Sequence, residues 1–310
     1  MRVLMTEAAN ALAQRYRPVL VAEVNARALG ELPYTLLMHL RGVESPITVD
    51  ALYAADPRSA AASYAAQLRQ LHRAGLLHTE NTAQGYTFTD AGLAHAEGLI
   101  AAACAALDAP GWPLADETLL TTLTDLVDAI LAELDEAEIP LPRERTNFLN
   151  TREWLPAGYG PVAFTHAVLV KLLAYHTDCE IAAWRALDLP PVAPLILGRF
   201  DASAPGHTTT ALTIEQLTTD LHDSGYTPLE IRAAVEGLLA RRLVSEYPVD
   251  PARLRLTIDG ASLLSSVAAT ADKHFERPIH AVLDAAELRT LRRDLRKLVD
   301  ALPTPERDHA

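Results

Sequence analysis

The feature that most constrains this chain is that its two halves repeat one another. Residues 47–52 read Ile-Thr-Val-Asp-Ala-Leu, the stretch 65–77 ends Leu-His-Arg-Ala-Gly-Leu-Leu, and residues 86–92 read Tyr-Thr-Phe-Thr-Asp-Ala-Gly. The same roles recur as Leu-Thr-Ile-Glu-Gln-Leu at 212–217, Leu-Leu-Ala-Arg-Arg-Leu-Val at 238–244 and Leu-Arg-Leu-Thr-Ile-Asp-Gly at 254–260. Thr48 pairs with Thr213, Leu76 with Leu243, Thr89 with Thr257 and Gly92 with Gly260, at offsets of 165, 167, 168 and 168 residues. So small a drift across so many ordered landmarks marks a duplicated unit.

Proline and glycine clusters at 110–113, 140–142, 156–161 and 190–191 cut the remainder into helical stretches. Only two segments read as strands. In 77–89, residues 78–80 and 86–88 flank a loop at 81–85; in 244–257, residues 245–247 and 254–256 flank a loop at 249–253. Both read as short hairpins. Thr48 and Thr213 supply N-cap oxygens, with Asp50 and Glu215 in the first turn, for one helix of each copy. A second helix is opened by Ser59 in the first copy and by Thr227-Pro228 in the second. Each copy is then helix, helix, helix, hairpin, long helix, the order of a winged helix-turn-helix. The expected fold is mainly α with small β wings, as tandem winged helix-turn-helix domains over residues 1–145 and 146–310.

Composition narrows the function classes. Of 310 residues, 49% are apolar and 22% charged, enough for two folded domains. Forty acidic against 27 basic side chains give a net charge of -13, so no general polyanion-binding tail is present and any contact with nucleic acid must be local. Residues 1–145 hold a net of -9 (10 basic, 19 acidic) and residues 146–310 a net of -4 (17 basic, 21 acidic). Asp125, Asp128, Glu133, Asp135, Glu136 and Glu138 decorate a leucine-rich helical pattern, read as a solvated face running into a linker. Cys104 and Cys179 fall in different halves, which argues against a disulfide scaffold; both read as buried, small apolar residues. The start of the chain carries Arg2 and Glu7 without an apolar segment of the secretory type, and the longest near-apolar run, 98–107, is half a membrane span. The expectation is a cytoplasmic protein with no membrane contact.

The chain resembles the MarR-type winged-helix regulators of bacteria. The resemblance is carried by Leu32-Pro33-Tyr34 through Leu40 and its counterpart Leu189-Pro190-Pro191 through Leu197, by the Leu-X-X-X-Gly-Leu-Leu ending at Leu77, and by the segment 250–260 with the helix start after it. The two helical stretches in 259–301, with an acidic turn at Asp284 to Glu287, are similar to that family's closing pair. The resemblance implies a pseudo-dimer within one chain, since members of the family associate through their first and last helices. Residues 8–27 and 162–186 would be the first helices, and 114–137 and 286–302 the last.

A reading helix needs exposed polar side chains with little negative charge, because phosphates line the groove. The first copy offers Ser59, Ser63 and Gln67 at i, i+4 and i+8, with Arg58, Tyr64 and Gln70 beside them. The second offers Arg232, but between Glu230 and Glu236, which would repel phosphate; its hairpin carries Arg253 and Arg255 two apart on one strand face. Each half keeps part of the apparatus, so the expected partner is double-stranded DNA bound at a weak or asymmetric site. The resemblance also implies a cleft for a small aromatic or phenolic ligand, for which Tyr34, Trp154, Tyr159, Tyr175, His176 and Trp184 are candidates with His39 as a polar handle. His176, Cys179 and Glu180 share a helical segment, but zinc needs about four ligands and no second cluster accompanies them. No metal or cofactor is expected. No Walker loop, G-x-S-x-G, H-E-x-x-H or C-x-x-C occurs, so the chain is not read as an enzyme. The expected function is a ligand-responsive transcriptional regulator. The alternative is a winged-helix protein that has lost DNA binding and serves as a small-molecule-binding or protein-interaction module.

Overall fold

The duplication governs the architecture. The computed structural model describes residues 1–27, 36–37, 40, 46–109, 117–136, 160–200 and 211–301. These are mainly helical, with two small antiparallel sheets. In the first half, α1 (Arg2–Arg27) precedes α2 (Val49–Ala55) and α3 (Ala61–Arg73). The strands β1 (Leu77–His78) and β2 (Thr87–Phe88), then α4 (Asp90–Leu107) and α5 (Glu117–Glu136), follow. The second half runs α6 (Pro161–Arg185), α7 (Ala193–Arg199), β3 (Leu212–Thr213), α8 (Ile214–Asp220), α9 (Pro228–Ala240), β4 (Val244–Tyr247), β5 (Asp250–Leu256), α10 (Ile258–Val282) and α11 (Ala285–Ala301).

Strand order repeats too. In the second half it is β3-β5-β4, with Leu212 opposite Leu254 and Ser245 opposite Arg255. In the first half β1 pairs with β2, and an isolated antiparallel bridge joins Ile47 to Tyr86, just ahead of β2, where β3 sits in the other copy. The second hairpin is tighter than its sequence suggests. Tyr247 lies opposite Asp250, so the turn itself is only Pro248-Val249, but Glu246 lies opposite Leu254, and this register shift leaves residues 251–253 without a partner on β4.

The same hydrogen-bonded junction ties hairpin to long helix in both halves. Helix α3 ends with Leu76 N–H donating to Leu71 O at 3.0 Å around Gly75 at φ +75°, and α9 ends with Leu243 N–H donating to Leu238 O at 2.9 Å around Arg242 at φ +57°. Both are the left-handed stop that terminates helices. Thr89 Oγ1 then lies 2.7 Å from Gly75 O and accepts from Gly92 N–H, and Thr257 Oγ1 lies 2.7 Å from Arg242 O and accepts from Gly260 N–H. The helices that follow must pass the preceding carbonyl closely: a Cβ on Gly92 would sit 1.8 Å from Leu76 O, and one on Gly260 2.1 Å from Leu243 O. Glycine is required at both.

Contacts divide the chain into two compact units that do not follow its halves. The first comprises Met1–Thr48, Gln67–Asp178 and Asp272–Ala310, the second Val49–Ala66 and Cys179–Ala271. The boundary expected at 145/146 lies outside the described residues.

In the first unit α1 packs on α4 and α11, and α11 packs on α5. The leucine-rich pattern of α5 buries Leu119, Leu123, Leu126 and Ile130 while Asp125 and Asp128 face solvent. Helix α4 is long and apolar enough to cross a membrane by length and composition, yet Leu99, Ile100, Ala103, Cys104 and Leu107 of its near-apolar run are buried in the protein. Its end also caps α6: the Asp108 carboxylate accepts from the N–H groups of Gly160, Val162 and Ala163 at 2.8, 3.2 and 3.1 Å. A carboxylate there suits the positive end of the helix dipole. His166, one turn on, is 4% exposed and meets Tyr16 edge to face with ring centroids 5.2 Å apart.

In the second unit Ile196, Leu197 and Phe200 of the α7 segment, Leu217 of α8, Ile231, Val235 and Leu238 of α9, and Val244 and Leu254 of the sheet form one core. Thr213 and Thr227 each close a capping box, with Gln216 and Glu230 respectively.

Two measurements test this account. Gly92→Ala and Gly260→Ala are each expected to destabilise the protein by about 1–3 kcal/mol in urea denaturation, through overpacking against a carbonyl. Arg242→Gly should stabilise it by about 1 kcal/mol by relieving the left-handed strain. Separately, burial holds the His166 imidazole down at about 4. An unfolded histidine takes its proton near 6.5, so the unfolded chain binds more protons between those values. The stability gained by keeping His166 neutral is therefore complete above pH 6.5 and is lost as pH falls towards 4, up to about 3 kcal/mol. His166→Phe should flatten the fall in denaturation midpoint across that window.

Candidate nucleic-acid interface

The stripe expected on the first copy is not an exposed surface. Ala60 N–H donates to Ser224 O at 2.7 Å, so a carbonyl of the second copy satisfies an amide at the start of α3. The Tyr226 hydroxyl donates to Pro57 O at 2.6 Å, and Tyr64 OH donates to Asp56 O at 2.8 Å. Gly225, at φ +75°, faces Ser63 so closely that a Cβ on it would lie 2.6 Å from the Ser63 Cβ. Ala60 belongs to the same apolar core as Ile196, Leu221 and Leu238. Within the second unit, the α2–α3 corner is thus packed on the turn that precedes α9.

This corrects the sequence reading of that helix. Ser59 and Ser63 are half-buried, and Tyr64 and Gln67 are each only 9% exposed. Gln70 and Arg58 are exposed, but Arg58 is folded back on Asp56, with Nε 2.8 Å from Oδ1 and Nη2 2.6 Å from Oδ2. The physical reason is size: Ala60, Ala61, Ala62 and Ser63 present so little side chain that another backbone can approach them.

The second copy changes in the opposite sense. Helix α9 buries Ile231, Ala234, Val235 and Leu238 and exposes Leu229, Arg232, Ala233 and Glu236 at i, i+3, i+4 and i+7. Glu230, expected to face phosphate and repel it, is turned back on its own helix: Oε2 accepts from Thr227 N–H at 2.8 Å and from Thr227 Oγ1 at 2.7 Å. Its charge then lies at the positive end of the helix dipole. Of the two acids that weighed against this helix, Glu236 alone stands on the open face, one turn beyond Arg232. In the adjoining hairpin, buried Leu254 points to the core, while Arg253 and Arg255 on either side of it share the other face. Arg255 is exposed, with Nε 3.3 Å from Ser245 Oγ; Arg253 is half-buried opposite Thr213.

Of the residues expected to line a ligand cleft, three are described: Tyr175, His176 and Trp184. Tyr34, His39, Trp154 and Tyr159 lie outside the described residues. Tyr175, 1% exposed, packs beside Phe275 in the first unit, with ring centroids 6.2 Å apart. His176 places Nε2 3.1 Å from Asp272 Oδ1 and its ring edge-on to Phe275. Trp184 packs against the apolar core of the second unit. Among the described residues no group of three His, Cys, Asp or Glu side chains is arranged to hold a metal ion.

No family model, curated protein or solved structure matches this chain.

Both cysteines are buried, Cys179 completely. Burial, and next to it the Asp108 carboxylate, pushes the Cys104 thiol up to about 11. At pH 8 only about one molecule in a thousand would then carry the reactive thiolate. A chromogenic disulfide reagent is expected to react with neither thiol until the protein is unfolded; prompt labelling of native Cys104 would contradict this burial.

Proposed function

We propose that the chain is a cytoplasmic DNA-binding transcriptional regulator made of two fused winged-helix copies, joined through their first and last helices as a single-chain pseudo-dimer, and that it reads duplex DNA with the second copy. The observation that carries this reading is the pairing of a self-capped, exposed helix α9 with a hairpin whose free face presents Arg253 and Arg255. A reading helix in the major groove beside a basic wing on the backbone is how such units engage a duplex. The strand order β3-β5-β4 and its partial repeat around Ile47 and Tyr86 support the winged assignment. The packing of α11, from the second half, on α1 and α5, from the first, supports the pseudo-dimer. The first copy's reading helix serves in this scheme as a brace for the second.

The test is titration of the purified protein against genomic duplex fragments, including its own upstream region, at two salt concentrations. A preferred fragment and salt-dependent affinity are expected. Arg253→Ala with Arg255→Ala should lower the magnitude of the log K against log salt slope by about 2, at about 0.9 for each phosphate that is no longer neutralised. Gln70→Ala on the first copy should leave the preferred fragment unchanged.

One observation favours a different use of the same elements. Leu229 on α9 is 76% exposed and Val249 at the hairpin tip 85%, where a DNA reader would ordinarily carry polar or basic side chains. If no fragment binds even at low salt, the second copy is better read as a protein-interaction module that presents these two side chains.

A further inference from the structure

In a chain with a net charge of -13, helix α11 stands apart. Arg289, Arg292, Arg293, Arg296 and Lys297 recur at i, i+3, i+4, i+7 and i+8, the spacing of a single helix face, and all five are exposed. Leu291, Leu295 and Leu298 on the other face are buried. Every exposed side chain from 289 to 297 is cationic. Five cations against the one carboxylate of Asp294 leave a local net of +4 over nine residues.

The row is also held in place. Asp294 is 5% exposed, and its Oδ1 accepts from Arg293 Nε at 3.0 Å and from Lys297 Nζ at 3.1 Å. The hydrogen bond from Arg293 is the main cause of a carboxyl held below its usual range, so Asp294 stays ionised and keeps two of the five side chains anchored. Anchoring reduces the side-chain entropy a bound partner must otherwise remove. The helix start is fixed as well: Asp284 accepts from the N–H groups of Ala286 and Glu287, and Glu287 accepts from Asp284 N–H.

These features select among anionic partners. Insertion into a lipid surface needs a free apolar face, and the apolar face of α11 is already buried in the protein. Four of the five cations are guanidinium groups, whose planar fork matches phosphate oxygens. From 289 to 297 the helix rises about 12 Å. A duplex of that length carries about seven phosphates. We infer that the exposed face of α11 is a nucleic-acid contact, independent of α9 and its hairpin, that seats on the phosphate backbone without reading sequence.

The test uses the full-length protein, a fluorescent random-sequence DNA duplex at low salt and the variant Arg289→Gln/Arg292→Gln/Arg296→Gln, which leaves Asp294 both of its partners. The variant should bind the duplex at least tenfold more weakly. Its log K against log salt slope should fall in magnitude by about 2 to 3. Preference among genomic fragments should not change, whereas Arg232→Ala on the reading helix α9 should alter it. That contrast separates failure of the α11 contact from failure of the proposed reading site. Unchanged circular dichroism and melting temperature would show that the triple variant is folded; Arg292→Gln alone, with about one third of the slope change, serves if it is not. An unchanged slope would overturn the inference. So would absence of duplex binding by the parent protein, or tighter binding of the same face to poly-glutamate, which would identify an acidic protein partner.

Discussion

The hydrogen bond from Ala60 N–H to Ser224 O decides which surfaces this protein can offer. Around it, Ser63 sits against Gly225 and Tyr226 reaches Pro57, so the corner between α2 and α3 is closed by the second copy's own turn. Gly225 is essential to that closeness on two counts, its positive φ and the absence of a Cβ. Two free, equivalent copies would each present a helix to a partner. Here one helix start is occupied inside the protein, and α9 remains as the exposed counterpart. The asymmetry expected from the residue chemistry therefore arises from packing instead, and it favours the other copy.

Equivalent positions make the cost of divergence visible. The junction of Thr89, Gly92 and Leu76 is reproduced atom for atom by Thr257, Gly260 and Leu243, because a helix that starts so near a carbonyl admits only glycine at its third residue. The left-handed stop before it is less strictly held. Gly75 occupies it in the first copy and Arg242 in the second, a strain of about 1 kcal/mol that the surrounding hydrogen bonds tolerate. The last helices have moved furthest apart. Where its side chains are described, α5 exposes Asp125 and Asp128, while α11 exposes five cations, although both bury leucines at helical spacing. Burial preserves the apolar pattern that packs each helix; nothing comparable constrains the solvent face, so that is where the two helices acquired opposite charge.

What was legible in the sequence follows the same division. The repeat, the hairpins and the caps at Thr213 and Thr227 are properties of local pattern, and periodicity or turn chemistry reports them directly. Tyr64, Leu68 and Leu71 at i, i+4 and i+7 do mark the covered side of α3, with Gln67 beside them. The closeness of a second backbone at Ala60 and Ser63 was not legible, because small side chains suit an exposed surface as well as a tight contact. Glu230 was misread for a related reason. Its position three residues after Thr227 marks a capping box as clearly as it marks an acidic surface, and only the folded chain shows the carboxylate turned back onto Thr227. The cations of α11 were visible in the letters, yet their meaning depends on the burial of Leu291, Leu295 and Leu298 that assigns them a common exposed face.

Net charge is consequently a poor guide to what this protein touches. A charge of -13 summed over 310 residues argues against indiscriminate polyanion binding, but ions are screened within about 10 Å at ordinary salt, so a partner at α11 responds to the local row and not to the total. The same holds at α9, where removing Glu230 from the open face leaves Arg232 and Glu236 to balance each other and shifts the decision to the hairpin. On the proposed reading, an acidic protein with two separate basic features, one with alternating arginines on a strand and one with a row on a helix, would hold an anionic chain at those places while the remainder of its surface repels it. On that reading the repulsion would limit non-specific coating of the same polymer and make the position of each cation matter more than their number.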